Sequence, residues 1–115
     1  MQEHPVQQQI LAELGSGCCR LWRNNTGTLM DRNGRPVKFG LCKGSSDLIG
    51  LRSVVVTPEM VGQRLAVFSA VEVKPPKGGR VRPEQQHFIE VVQGLGGLAG
   101  VARSVEDAER ILRLR

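Results

Sequence analysis

The sequence predicts a mixed α/β domain in which helices flank a central β-sheet. Apolar residues recur at helical spacing near the start of the chain and again after Pro83, and β-favouring runs fill most of the sequence between these two regions. A length of 115 residues is typical of one domain. We therefore expect residues 1–115 to form a single domain.

The predicted order of elements along the whole chain is α-β-β-β-β-α-β-α. The first two thirds of the chain are predicted to contain one helix and most of the strands. The helix covers residues 3–14, where apolar residues lie four positions apart and glycines follow. Turn-forming sequences at residues 24–27 and 31–34 separate the first strands. The predicted strands are residues 18–23, 37–39, 47–56, 65–74 and 98–102.

Two helices are predicted in the last third of the chain. Pro83 suits the first turn of a helix, and apolar residues at i, i+3, i+4 and i+7 from Phe88 onward continue it up to a glycine-rich stretch. Ser104 and Asp107 resemble a capping box, with Asp in place of the usual Glu. They predict the start of a last helix, in which Val105, Ala108 and Leu112 are expected to face inward.

Basic charge is concentrated in the middle of the chain. Residues 20–82 hold 12 basic and four acidic residues, whereas the remainder holds four basic and seven acidic residues. A concentrated basic region is the electrostatic footprint of a polyanionic partner such as nucleic acid. Many basic proteins bind no nucleic acid, so charge alone leaves the function open.

Several other classes of protein are not expected. No stretch approaches the ~20 apolar residues of a membrane span, and the first four residues lack the basic start and apolar core of a signal peptide, so we expect a cytoplasmic protein. Cys18, Cys19 and Cys42 are odd in number and contain no CxxC spacing, which predicts neither a disulfide framework nor a zinc site. Lys43-Gly44-Ser45-Ser46 has neither the length nor the order of a Walker A loop, so no nucleotide cofactor is expected.

The stretch FSAVEVK, residues 68–74, places two charges in an otherwise apolar strand. Residues i and i+2 of a strand point to the same face, so Glu72 and Lys74 are expected to project together. Asp47 begins the preceding strong strand, and antiparallel pairing of the two strands would bring it beside Glu72. Close carboxylates raise each other's pKa unless a cation lies between them, and a hard ion such as Mg²⁺ takes oxygen ligands. The alternative is an ordinary ion pair on a wet strand face.

An Asp, then Glu-x-Lys on the next strand, then a helix is similar to the arrangement of the PD-(D/E)XK nucleases. Further motifs follow in order along almost the whole chain. They are Glu3-His4, Arg23-Asn24-x-Thr26-Gly27, Lys43-Gly44-Ser45-Ser46-Asp47-Leu48-Ile49-Gly50, Glu72-Val73-Lys74, Pro83-Glu84-Gln85 with Phe88, and Gly96-Gly97 to Ala102-Arg103-Ser104. Together they resemble a virus-type replication-repair nuclease (VRR-NUC) domain of the short stand-alone kind found in phages and bacteria. Glu-x-Lys alone is unspecific, whereas the combination at these spacings is specific.

The resemblance implies a restriction-endonuclease-like fold and a role for each matching residue. Lys74 would be the catalytic lysine, and Gln85 would be a helix glutamine that packs against the site and orients its groups. Ser46 stands where the family usually has a proline before its acidic ligand. The implied ligands of Mg²⁺ or Mn²⁺ are Asp47, Glu72, the Val73 carbonyl and a supporting Glu3.

Several of these residues have a simpler explanation. Glu3 could be an ordinary favourable acid at a helix N-terminus, and Gln86 competes with Gln85 for the role of site glutamine. Turn or loop chemistry would explain the candidate DNA contacts as well as phosphate binding does. These candidates are Arg23, Asn24, Thr26, Lys43, Ser45, Ser46, Lys77 and Arg80.

The sequence thus predicts a metal-dependent DNA endonuclease. The resemblance further implies a homodimer that acts on branched DNA such as Holliday junctions or flaps. The alternatives are a non-catalytic nucleic-acid-binding module of the same fold and, less favoured, a structural phage protein whose basic patch serves assembly. Residues 57–64 are either a simple connection or a dimer contact.

Overall fold

The computed structural model describes residues 3–114, with side chains from Pro5 onward. The chain forms two compact units, one up to Val54 and one from Val55. The mixed α/β class is confirmed, and the element order contains one strand more than predicted. That the two units act as a single domain stays a prediction. None of the helices within residues 3–114 is long and apolar enough to cross a membrane.

The helices and strands lie close to their predicted positions. The strands observed at residues 48–52 and 69–73 are shorter than predicted, and the additional strand covers residues 27–30. The helices are α1 (Glu3–Leu14), α2 (Pro83–Gly94) and α3 (Val105–Ile111). The strands are β1 (Cys19–Arg23), β2 (Gly27–Met30), β3 (Pro36–Phe39), β4 (Leu48–Arg52), β5 (Ser69–Val73) and β6 (Leu98–Ala102).

The strands pair in twos rather than in one central sheet. β1 pairs antiparallel with β4, β2 with β3, and β5 lies parallel to β6. The predicted antiparallel ladder between β4 and β5 is not found in residues 3–114. Parallel strands need a crossover connection, and α2 supplies it between β5 and β6. Residues 53–68 form no strand and contain a 3-10 turn at Pro58–Met60.

In the first unit, α1 packs against β1, and β1 pairs with β4. The ladder continues for one more residue at the end of β1, where the Asn24 N–H donates to the Asp47 carbonyl at 2.8 Å. β2 and β3 form an exposed hairpin. Its turn is closed by Asp31, whose Oδ1 accepts from the N–H groups of Asn33 and Arg35 at 2.8 Å each.

In the second unit, α2 and α3 pack on the β5–β6 pair. The buried apolar residues are Ile89, Val92, Ala99 and Ala102. Gly97, just before β6, allows close packing against α2 and against the residue that precedes β5, because a Cβ there would lie 2.7 Å from Val92 Cγ1 and 2.9 Å from the Phe68 carbonyl oxygen. The core of this unit therefore holds β5 firmly on one side.

Two predicted details of the second unit need correction. Val105 was expected to face inward but is 72% exposed, because it directly follows the helix cap and lies at the outer end of α3. The cap itself is confirmed on one side, since the Asp107 N–H donates to Ser104 Oγ at 3.1 Å. The reciprocal bond differs from a capping box, because the Asp107 carboxylate accepts from the N–H of Arg103 at 2.9 Å.

Candidate active site

Glu72 and Lys74 project together at the end of β5. Lys74 follows the last strand residue and extends the ladder, because its N–H donates to the Ala102 carbonyl at 3.0 Å. Lys74 Nζ lies 3.7 Å from Glu72 Oε2, and the two side chains are 13% and 32% exposed. Val73, between them, points away and is 71% exposed. The predicted shared face of Glu72 and Lys74 is confirmed, while their catalytic roles stay predictions.

Gln85 fixes the position of the Lys74 ammonium. Lys74 Nζ donates to Gln85 Oε1 at 2.9 Å, and the same oxygen accepts from the Arg82 N–H at 3.0 Å at the start of α2. The competing Gln86 instead donates to Glu90 at 3.1 Å. The structure thus places Gln85, and not Gln86, against the lysine.

Lys74 keeps donors for a further partner. An ammonium group has three N–H donors, and one of them is used by Gln85. The 3.7 Å separation from Glu72 is an ion-pair distance but exceeds that of a hydrogen bond. The group is therefore oriented by its neighbours and can still donate to a phosphate oxygen.

The loop that carries Asp47 is organised by Asn24. Asn24 Nδ2 donates to Ser45 Oγ at 2.7 Å and to the Ser46 carbonyl at 2.9 Å, and its Oδ1 accepts from the Leu41 N–H at 2.9 Å. Ser45 Oγ in turn donates to the Cys42 carbonyl at 2.6 Å. The side chains of Asn24 and Ser45, which were predicted to contact DNA, are thus hydrogen-bonded within the protein.

The remaining candidate DNA contacts lie at the surface. Arg23 is exposed at the end of β1, and Thr26 is exposed just before β2. Lys43 and Ser46 are exposed in the loop before Asp47, and Lys77 and Arg80 are exposed in the loop after β5. Binding of DNA by these residues stays a prediction.

The donor chemistry of two predicted ligands suits a hard divalent ion. Glu72 has Lys74 as its partner, and Asp47 is exposed, with no side-chain partner among residues 5–114. Both carboxylates therefore retain free lone pairs, as Mg²⁺ or Mn²⁺ coordination requires. Among the side chains the structure describes, no cluster of three His, Cys, Asp or Glu residues forms a metal site by itself.

The full predicted ligand set is not tested. Asp47 belongs to the first unit and Glu72 to the second, so a metal site that combines them stays a prediction. The backbone of Glu3 begins α1. Its predicted role as a metal-supporting acid lies outside the described side chains.

Sequence reasoning gave no role to Arg103, which follows β6. Its guanidinium donates to the carbonyls of Pro75, Gly78 and Gly79 in the loop after β5. The Arg103 N–H, together with the Arg110 guanidinium at 2.5 Å, holds the pKa of Asp107 below its usual value. Hydrogen bonds from arginine to backbone carbonyls follow no sequence pattern. The only signal for Arg103 in the sequence was its place in the motif that ends Ala102-Arg103-Ser104.

A lysine held by a helix glutamine and a strand glutamate, in a mixed α/β fold, is the arrangement expected of a PD-(D/E)XK-type nuclease. The family model described as the VRR-NUC domain matches residues 7–106, most of the chain, and the chain belongs to this family. Its fold class is therefore restriction-endonuclease-like, and it carries a nuclease domain, for which DNA is the partner. No curated protein and no solved structure matches the chain.

Proposed function

We propose that the protein is a Mg²⁺- or Mn²⁺-dependent endonuclease that hydrolyses phosphodiester bonds in DNA. The observation that carries this proposal is the Lys74 ammonium, held 2.9 Å from Gln85 and 3.7 Å from Glu72 in a chain of the VRR-NUC family. A pure binding module gains nothing from a carboxylate placed beside the cation that faces a phosphate. The arrangement of these three side chains therefore favours catalysis.

In the proposed reaction, Lys74 stabilises the charge that builds on the phosphate. Its free N–H donors point to a non-bridging oxygen as water attacks phosphorus and the bond to the 3′ oxygen breaks, which leaves a 5′-phosphate and a 3′-hydroxyl. Gln85 keeps the ammonium in one position, so that little reorganisation is needed during the reaction. The ion pair with Glu72 further restricts the position of the Lys74 ammonium.

The divalent ion is proposed to bind to oxygen ligands of this chain. Asp47, Glu72 and the Val73 carbonyl would hold it, with Glu3 in support. A bound Mg²⁺ or Mn²⁺ supplies Lewis-acid stabilisation of the phosphoryl oxygens. Asn24 contributes by holding the loop in which Asp47 lies, since its amide binds that loop at three points.

The proposed substrate is branched DNA, and the proposed active form is a homodimer in the cytoplasm. A domain of this size has little surface for reading a base sequence, whereas a two-fold dimer can cut two strands symmetrically. The surplus of basic residues in the middle of the chain supports binding to phosphates rather than to base edges.

Cleavage assays test the proposal directly. Four-way junctions, flaps and linear duplexes are incubated with the protein in Mg²⁺, in Mn²⁺ and in EDTA, beside Asp47→Ala and Lys74→Ala. We expect cleavage only with metal, preference for branched DNA, and a loss of at least ~10²-fold in rate for both variants. Lys38→Ala, which removes an exposed lysine of the β2–β3 hairpin, serves as the matched control and should cleave normally.

Two outcomes would reject the nuclease proposal. One is cleavage that survives both substitutions, and the other is the absence of cleavage of any DNA with either metal. Tight binding without cleavage would instead establish the binding-module alternative. Sedimentation of the protein with and without a junction decides whether it is a dimer.

A further inference from the structure

We propose that Arg103 is a positioning residue that holds the loop after β5 against the catalytic lysine, so that Lys77 and Arg80 meet DNA phosphates. This loop, residues 75–80, is called the basic loop below. The inference rests on the proposed nuclease function and assigns to Arg103 a role in substrate binding.

The guanidinium of Arg103 binds three carbonyls of the basic loop. Nη1 donates to Pro75 at 3.0 Å and to Gly78, and Nη2 donates to Gly79 at 3.0 Å. These bonds join residues 24 to 28 positions apart in sequence. A planar group with several donors in fixed directions can satisfy several carbonyls at once, which a lysine cannot do as well. Arg103 thus ties the basic loop to the end of β6.

The basic loop is tightly folded, so the hydrogen bonds from Arg103 can define its conformation. Gly78 and Gly79 adopt φ values of +76° and +70°, a region that favours glycine. A Cβ at Gly79 would lie 2.8 Å from Pro75 Cδ, so the space between Gly79 and the Pro75 ring has no room for a side chain. The same Cβ would lie 3.5 Å from Pro75 Cγ and 3.7 Å from Lys74 Cδ. The basic loop therefore lies directly against the stem of Lys74.

Arg103 is itself held in place. The Arg103 N–H donates to the Asp107 carboxylate at 2.9 Å, and the preceding residue, Ala102, accepts from the Lys74 N–H at 3.0 Å. Since the backbone on both sides of the guanidinium stem is bonded to neighbouring elements, the position of Arg103 is set by β6 and α3. The loop takes its position from this fixed point.

The Arg103 guanidinium adds a positive charge to the basic loop, and its hydrogen bonds to the loop leave that charge in place. Within the part of the chain that the structure describes, the guanidinium of Arg103 is bound by neutral carbonyl oxygens and makes no salt bridge. Lys77 and Arg80 are exposed in the loop that it holds. Phosphates are attracted to such a group of fixed cations, and their contacts position a nucleic acid without reading its sequence. The basic loop beside Lys74 has the chemistry of a phosphate-binding edge.

The position of the loop is tested first by proteolysis of the intact protein. Trypsin cuts after Lys77 and Arg80, and mass spectrometry identifies the cut sites. Arg103→Ala should accelerate these two cuts at least ~10-fold relative to wild type, because each order of magnitude corresponds to only about 1.4 kcal/mol of lost protection. Arg64→Ala removes an exposed arginine elsewhere in the same unit and should leave both cuts unchanged. Unchanged cutting in Arg103→Ala would overturn the proposed tie.

The function of the loop is tested by binding of a DNA junction in EDTA, which does not require cleavage. We compare wild type, Arg103→Ala, the pair Lys77→Ala/Arg80→Ala and the triple variant. Loss of two phosphate contacts should flatten the dependence of log K on log[salt] by about 1.8. Arg103→Ala should flatten it by a similar amount, and the triple variant should add little to either change.

Additive effects in the triple variant, or an unchanged salt dependence in Arg103→Ala, would overturn the positioning role. If Arg103→Ala fails to fold by circular dichroism, Gly79→Ala distorts the same loop from its other side and should give the same flattened salt dependence. A wild-type protein that binds no DNA would reject the proposed function and, with it, the phosphate-binding role. The proteolysis result would then still decide whether Arg103 holds the loop.

Discussion

Two loops of this protein are each held by one distant side chain, but the two side chains differ in charge. The loop of residues 40–47, which ends at Asp47, is held by the neutral amide of Asn24. The basic loop after β5 is held by the cationic Arg103. Both side chains form hydrogen bonds to backbone groups of a loop that are not paired in a β-sheet. The neutral side chain adds no charge near the carboxylate of Asp47, whereas the cationic one adds positive charge to the loop that follows Lys74.

The loop held by Asn24 contains two glycines whose surroundings differ. Gly40 and Gly44 in the first loop have φ values of +88° and +85°, and both would be strained by a side chain. Only Gly40 is also crowded, since a Cβ there would lie 2.6 Å from the Asn25 carbonyl oxygen and 2.7 Å from Thr26 Cα. At Gly44 the surrounding space is open. These two glycines therefore separate backbone strain from crowding.

The largest effect is expected for Gly40→Ala. Strain and crowding together should lower the free energy of unfolding by at least about 3 kcal/mol. Gly44→Ala, with strain alone, should lower it by about 1 kcal/mol. Denaturant titration monitored by fluorescence of Trp22, the only tryptophan of the chain, measures both. Equal losses in the two variants would show that crowding at Gly40 has no part in holding this loop.

The next largest effect is expected at Lys74, which directly precedes the basic loop. Gln85→Leu removes the acceptor of the Lys74 ammonium, and we expect single-turnover DNA cleavage to slow about 100-fold, equivalent to roughly 2.7 kcal/mol. Gln86→Leu removes only an exposed hydrogen bond to Glu90 and should cleave at the wild-type rate. If both variants lost activity equally, orientation of Lys74 by Gln85 would be the wrong explanation.

A smaller effect is expected for Asn24→Ala, which removes three side-chain hydrogen bonds from the first loop. Unfolding free energy should fall by about 1–2 kcal/mol, and trypsin should cut after the exposed Lys43 more rapidly. Asn25→Ala changes the neighbouring, exposed asparagine and provides the control. Calorimetric titration of Mn²⁺ should show weaker binding only for Asn24→Ala, provided that Asp47 is a ligand. Unaltered cutting at Lys43 would contradict the role of Asn24 in holding the loop.

The smallest effect is a pH dependence of stability that arises from Asp107, the acceptor of the Arg103 N–H. The Arg103 N–H lowers the pKa of Asp107 in the folded protein from its ordinary 3.8. The carboxylate therefore stabilises the fold fully above pH 3.8, and this contribution is lost as the pH falls through the lower folded pKa. Melting temperatures of wild type and Asp107→Asn should differ slightly at pH 7 and converge in acid. A difference that grows on acidification would contradict this assignment.

Helices and β6 were predictable from the sequence because their signals are local. Pro83 and the glycines after α2 mark its ends, and Ser104 marks the start of α3. Strand pairing is non-local, so the sequence did not show that β5 pairs with β6 or that β4 pairs with β1. The four-residue β2 was missed because turn-forming residues flank it on both sides.

In the candidate site, the alternation of a strand was sufficient to place Glu72 and Lys74 together. The role of Asn24 was not predictable, because the same residue type serves equally in turns, in phosphate contacts and in holding another loop. Val73 lies between Glu72 and Lys74 in the sequence, and its side chain is exposed. The strand period that brings its two neighbours to one face places Val73 on the other.

Gln85 uses one oxygen for two tasks, and this matters for interpreting relatives of the protein. That oxygen receives both the Lys74 ammonium and the backbone N–H of Arg82 at the first turn of α2. A descendant that had lost catalysis would still benefit from an acceptor at position 85, because its helix would still need one. Lys74 offers the helix no such benefit. With Lys74 as the proposed catalytic lysine, its loss, and not retention of the glutamine, would be the informative sign when an active member of the family is to be distinguished from an inactive one.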